Sequence, residues 1–108
     1  MVTVQEAEAW ALALPDAVPL PHFEKKSYRI KKKIFATLDV MKQRLVVKLS
    51  EVDQSVFCSH NPEVIYAVPG AWGKHGYTMI ELKKVRKGLC REALRVSYET
   101  VLKGKKKS

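Results

Sequence analysis

Two periodicities divide the chain. Near its start, Val4, Ala7, Trp10, Ala11 and Leu14 recur at three- and four-residue spacing, which is one face of a helix. The preceding Thr3-Val4-Gln5-Glu6 reads as a capping box, with the Thr3 hydroxyl accepting from the third helical amide and Glu6 reaching back. Pro15 stops this helix. The stretch from Pro15 to Pro21 holds three prolines, which rules out regular helix and a central strand and predicts a stiff, extended crossing.

From His22 to Ser50 the period becomes two. Ile34, Ala36, Leu38 and Val40 alternate with Phe35, Thr37 and Asp39, and Leu45, Val47 and Leu49 alternate with Val46 and Lys48. These are half-buried strands joined at Met41 to Gln43 as an antiparallel hairpin. Tyr28 and Ile30 predict another strand before them, across the basic turn Lys31-Lys32-Lys33. Ser50 can cap a short helix that turns Val52, Val56 and Phe57 inward. After a break at Asn61-Pro62-Glu63, strands follow from Val64 to Val68 and from Tyr77 to Leu82. A last helix from about Arg86 carries Leu89, Cys90, Ala93, Leu94, Ser97 and Val101 on one broad stripe, with Arg91, Glu92, Arg95 and Glu99 opposite.

Helices are therefore expected over 3–14, 51–58 and 86–103. The order α-β-β-β-α-β-β-α suits an α+β fold: one antiparallel sheet with helices mainly on one face. A single domain is expected over residues 1–103, and a basic, disordered tail is expected over 104–108.

Between the last two strands lies Val68 to Leu82, VPGAWGKHGYTMIEL, with Gly70, Gly73 and Gly76 interleaved with Trp72, Lys74, His75 and Tyr77. Glycines at this spacing permit positive dihedrals and close approaches, so the segment reads as a shaped loop. Shaped loops on a rigid scaffold are where function is usually displayed.

Composition changes this picture through charge. The chain has 20 Lys and Arg against 11 Asp and Glu, a net +9. Setting aside Lys103, Lys105, Lys106 and Lys107 leaves 16 basic residues and a balance of +5, so the body is basic in its own right. Such charge attracts polyanions without selecting one. No apolar run is long enough to span a membrane, and MVTVQEAEAW lacks the pattern of a signal peptide. Cys58 and Cys90 match no metal or redox spacing. A cytoplasmic protein with reduced thiols is expected.

The segments together resemble one family. They are Leu14-Pro15, then Pro21-His22-Phe23, KKIFATLD from Lys32 to Asp39, LVVKLS from Leu45 to Ser50, NPEVIYAVPG from Asn61 to Gly70, the glycine loop into Tyr77, and Ser97-Tyr98. In this order and spacing the chain resembles the MmcQ/YjbR family of small bacterial proteins. The resemblance implies a secretion-chaperone-like fold with a five-stranded antiparallel sheet, in which two hairpins form a double wing associated with DNA binding. Two places depart from the family pattern: Tyr77 stands where Trp is usual, and Met41-Lys42-Gln43 replaces a more acidic, Gly-bearing turn.

Candidate chemistry follows. Lys25, Lys26, Arg29, Lys31, Lys32 and Lys33 put six positive charges into nine residues. With Lys42 and Arg44 they would make a phosphate-tracking ridge, or else a solvated face whose edge lysines discourage aggregation. On the double-wing reading Lys31, Lys32, Lys33, Lys42 and Arg44 belong to the first wing, and Lys74 and His75 to the second. Trp72 and Tyr77 would stack on a base or cap the core, and with Tyr66 they would line a small-molecule pocket. Arg91 and Arg95 interleave with Glu92 and Glu99, which favours local helix pairs.

Cys58-Ser59-His60 shows no group to orient the histidine, Cys90 reads as core, and the histidines lack ligand spacing. The leading expectation is a non-enzymatic monomer that needs no cofactor or metal and contacts nucleic acid, duplex DNA, through its phosphates. The alternative is a protein- or peptide-interaction module that uses the open sheet face or an edge strand.

Overall fold

The structure, a computed structural model, describes residues 1–22 and 25–103. The motif residue Phe23 and the basic tail, 104–108, lie outside them.

The first helix, α1 (Val4–Ala13), opens on the expected capping box, with the Glu6 amide donating to Thr3 Oγ1 at 3.0 Å and the Thr3 amide to Glu6 Oε1 at 3.0 Å. Then follow β1 (Val18–His22), β2 (Lys25–Ile30), β3 (Lys33–Asp39), β4 (Arg44–Lys48), α2 (Glu51–His60), β5 (Ile65–Ala67), a one-turn helix α3 (Ala71–Lys74), β6 (Tyr77–Glu81) and α4 (Lys87–Lys103). The strands form one antiparallel sheet in the order β1-β2-β3-β4-β6-β5.

Two differences from the expected architecture have physical reasons. The sheet has six strands, not five, because the proline crossing pairs with β2 as an edge strand. Pro19 and Pro21 cannot donate to a ladder, and an edge strand leaves one side without a partner. The added α3 turn is too short for any periodicity to register.

Register decides which residues face the helices. Tyr28, Ala36, Val47 and Thr78 lie in one cross-strand row, and Leu38, Leu45, Ile80 and Ile65 in another. The Tyr28 hydroxyl donates to Glu8 of α1 at 2.8 Å, and Gln54 of α2 reaches Thr78 at 3.1 Å. Simple alternation puts Phe35 on the opposite face from Ala36. A bulge corrects this: the register slips between the Tyr28–Ala36 and Arg29–Ile34 pairs, and Phe35 is the extra residue. Both Phe35 and Ala36 are therefore buried, and Phe35 meets Tyr98 of α4 edge-on at 5.5 Å.

The core lies between this inner face and α1, α2 and α4. The opposite face carries Ser27, Thr37, Val46, Met79 and Tyr66 in one row and Asp39, Arg44 and Glu81 in the next. No helix among the described residues is long and apolar enough to cross a membrane.

Candidate nucleic-acid interface

The basic hairpin β2–β3 closes with a two-residue loop. Ile30 pairs with Lys33, so Lys31 and Lys32 alone make the turn, with φ of +52° and +71°. Positive φ at both central positions is what a type I′ turn requires, because its twist matches that of the flanking strands. The turn thus projects Lys31 and Lys32 from one end of the sheet, where both are exposed.

The glycine loop comes to the same end. Lys48 closes β4 opposite Tyr77, which opens β6, and the Leu49 amide donates to the Gly76 carbonyl at 2.9 Å. Gly76 has φ +94°, and a Cβ there would lie 1.8 Å from the Leu49 carbonyl oxygen. A Cβ on Gly73 would lie 2.1 Å from the Val68 carbonyl oxygen. Only glycine permits these approaches. Gln54 of α2 fastens the loop from below, its Nε2 lying 3.0 Å from the Gly73 carbonyl and 3.2 Å from that of Tyr77.

Between the β2–β3 turn and this loop is an open cavity of about 480 Å³, lined by Arg29, Lys32, Lys33, Lys48 and Tyr77, with Thr100 and Val101 contributed by α4. Lys48 Nζ sits 4.8 Å above the Tyr77 ring and donates to the His75 carbonyl. Tyr77 also meets Trp72 edge-on, with centroids 5.2 Å apart and planes at 80°. Trp72 is 63% exposed, so it does not cap the core, while Tyr77 is half-buried. Lys74 ends α3 and is exposed, as is His75 beside it. Among the described residues, no carboxylate forms a salt bridge with Arg29, Lys31, Lys32, Lys33 or Lys74.

The sites expected from the sequence separate accordingly. Lys31, Lys32, Lys33, Lys74 and His75 share one end of the sheet. Lys42 and Arg44 occupy the other, because the β3–β4 turn lies at the far end of the seven-residue β3. At about 3.4 Å per residue that separation is roughly 20 Å. The two turns therefore do not join into one ridge.

Arg44 is occupied there, with its Nε 3.1 Å from Glu81 Oε2, and that pair raises its pKa. Burial pushes the Glu81 carboxyl up, but the Tyr66 hydrogen bond and Arg44 outweigh it and hold Glu81 below the ordinary carboxylate range. Tyr66 donates its hydroxyl to Glu81, which raises its own pKa. Of the three aromatics, Tyr77 lines the cavity and Tyr66 and Trp72 do not.

The remaining candidates have local explanations. Arg95 is bonded to Glu92 and to Glu99, the latter at 2.8 Å. Burial raises the Cys58 thiol and pushes Cys90 up to about 12, which keeps both protonated and poorly nucleophilic near neutrality.

Two contributors escape a linear reading: Lys48, which lines the cavity and sits over Tyr77, and Gln54, which holds the loop, whereas Arg29 already belonged to the basic run. The outward position of Lys48 in the alternation of β4 was visible. Its pairing with a residue 29 positions later was not.

Comparison with known proteins accords with this architecture. Deinococcus radiodurans protein DR2400, whose family-model domain is DUF419, has a similar crystal structure, with a TM-score of 0.84 at 24% sequence identity over 96% of this chain and 81% of that one. That likeness concerns the fold. No curated protein matches the chain. The YjbR family model matches residues 12–100, from the last turn of α1 into the closing turns of α4, and the chain belongs to the YjbR family.

Proposed function

We propose that the protein binds nucleic acid through the end of the sheet that carries the β2–β3 turn and the glycine loop, with phosphate contacts dominating. One observation carries this reading: Arg29, Lys32, Lys33 and Lys48 converge on a single open cavity. Cations lining one cavity concentrate positive potential there, and a polyanion that enters it gains their attraction and releases its own counterions. Lys31, which shares the turn with Lys32, and Lys74, on the loop before Tyr77, form no salt bridge with a carboxylate among the described residues.

Contacts of this kind give salt-sensitive binding with little dependence on sequence. Strand addition of a peptide is less well served, since the β1 edge carries Pro19 and Pro21 and the other edge, β5, is three residues long.

The test is a titration of labelled duplex DNA at several salt concentrations. Four phosphate contacts predict a log-log slope of about −3.6 and a loss of affinity on the order of a hundredfold between about 50 and 200 mM salt. Changing Lys31, Lys32 and Lys33 together to Ala should weaken binding and flatten the slope. Absence of binding at the lowest salt, or a slope near zero, would rule the reading out.

A further inference from the structure

We propose that Trp72 is a stacking platform for an unpaired base, so that this end of the sheet prefers single-stranded nucleic acid, with phosphate held in the cationic cavity and the adjoining base on the indole. The inference rests on the nucleic-acid reading above and sharpens its substrate.

Three observations support it. The first is exposure. Trp72 is 63% exposed, although tryptophan is among the side chains that gain most from burial. Trp10, by contrast, is half-buried against the core with Arg91 5.5 Å from its ring. The second is rigidity. Trp72 stands on a one-turn helix whose neighbours are fixed by the close approaches of Gly73 and Gly76 and by Gln54, and Tyr77 braces its ring edge-on. A platform held in place before binding loses little conformational entropy on binding.

The third is continuity. Trp72 touches Tyr77, Tyr77 lies under Lys48 Nζ, and Lys48 lines the cavity with Arg29, Lys32 and Lys33. An aromatic face next to a cationic channel is what a single strand requires, because its bases offer free faces along with the backbone charge. In a duplex those faces are already stacked on neighbouring bases, so the indole has nothing to take up.

The experiment compares a short fluorescein-labelled single-stranded oligodeoxynucleotide with its duplex, using full-length protein at about 50 mM salt. The wild type should bind the single strand more tightly, with quenching of tryptophan emission. Trp72→Ala should cost about tenfold in single-strand affinity and abolish most of the quenching, while duplex affinity stays within about twofold. Trp72→Phe keeps a π-face and should retain single-strand affinity within about threefold. Because the side chain is exposed, thermal unfolding should coincide for all three proteins.

The proposal is overturned if Trp72→Ala leaves single-strand affinity unchanged, or if it weakens single strand and duplex equally. In either case the duplex binding expected of the cationic cavity would still stand. Failure of the wild type to bind either form would overturn both readings.

Discussion

Lys31 and Lys32 occupy a turn for which Asn-Gly is the favoured sequence. Positive φ costs a side-chain-bearing residue about 1–2 kcal/mol relative to glycine, and here it is met twice in succession. Placing two lysines where the backbone disfavours them fits a turn shaped for display of charge. Changing Lys31→Asn together with Lys32→Gly should therefore raise stability by about 1 kcal/mol or more, read as a Tm higher by several degrees. The same double variant should bind nucleic acid less tightly, because Lys32 lines the cavity. Loss of stability together with loss of binding would mean that the lysines support the fold. The run of lysines was legible in the sequence. That only two of the three form the turn, while Lys33 pairs with Ile30 in the ladder, depends on backbone dihedrals that composition does not reveal.

Among the elements, the glycine loop shows how far local reading reaches. Three glycines in seven residues announced tight geometry, but the positions differ in what they tolerate. Gly70 has φ +85° and open space where a Cβ would stand, whereas a Cβ at Gly76 would collide with the Leu49 carbonyl. Gly70→Ala should cost the dihedral penalty alone, about 1–3 kcal/mol, because φ +85° with ψ −158° is a region nearly reserved for glycine. Gly76→Ala adds a backbone clash and should cost about 2–4 kcal/mol, measured by denaturant unfolding. Equal losses at the two positions would show that the contact with β4 does not hold the loop. Helix positions and caps were the most legible features, since they involve only near neighbours, but the inward face of α2 was not: Val52 and Val56, expected inward, are exposed and Phe57 alone of the three is buried. The edge strand β1 was hidden because its prolines argue against a strand in the absence of knowledge that one side is unpartnered. The Phe35 bulge was hidden because alternation assumes an unbroken ladder.

At the scale of the whole molecule, the ion pairs of the sheet gather at one end, although Lys25 and Lys42 there form no salt bridge among the described residues. At one end Arg44 is bound to Glu81, and Lys26 lies 3.3 Å from Glu8. At the other end Lys31, Lys32 and Lys33 have no carboxylate partner among the described residues. Exposed ion pairs add little stability, roughly 0–1 kcal/mol, but they do decide where the net field is directed. Lys33→Ala should therefore reduce the salt slope of nucleic-acid binding by about 1, whereas Lys42→Ala, on the far turn, should leave it within error. Equal effects would indicate a diffuse attraction spread over the whole surface.

The sequence by itself determined the two periods, the helix caps, the overall α+β order, the basic character of the body and the existence of a shaped loop. Each of these depends on residues within a few positions of one another, where spacing and side-chain chemistry suffice. Tertiary structure alone decided that Lys48 lies against Tyr77, that Phe35 turns inward, and that Lys42 and Arg44 stand apart from Lys31 to Lys33. It also decided that Trp72 faces solvent while Tyr66 is drawn to Glu81. These placements follow from strand order and register, and a register is selected by burial summed over a whole sheet face, a quantity that no local stretch of the chain contains.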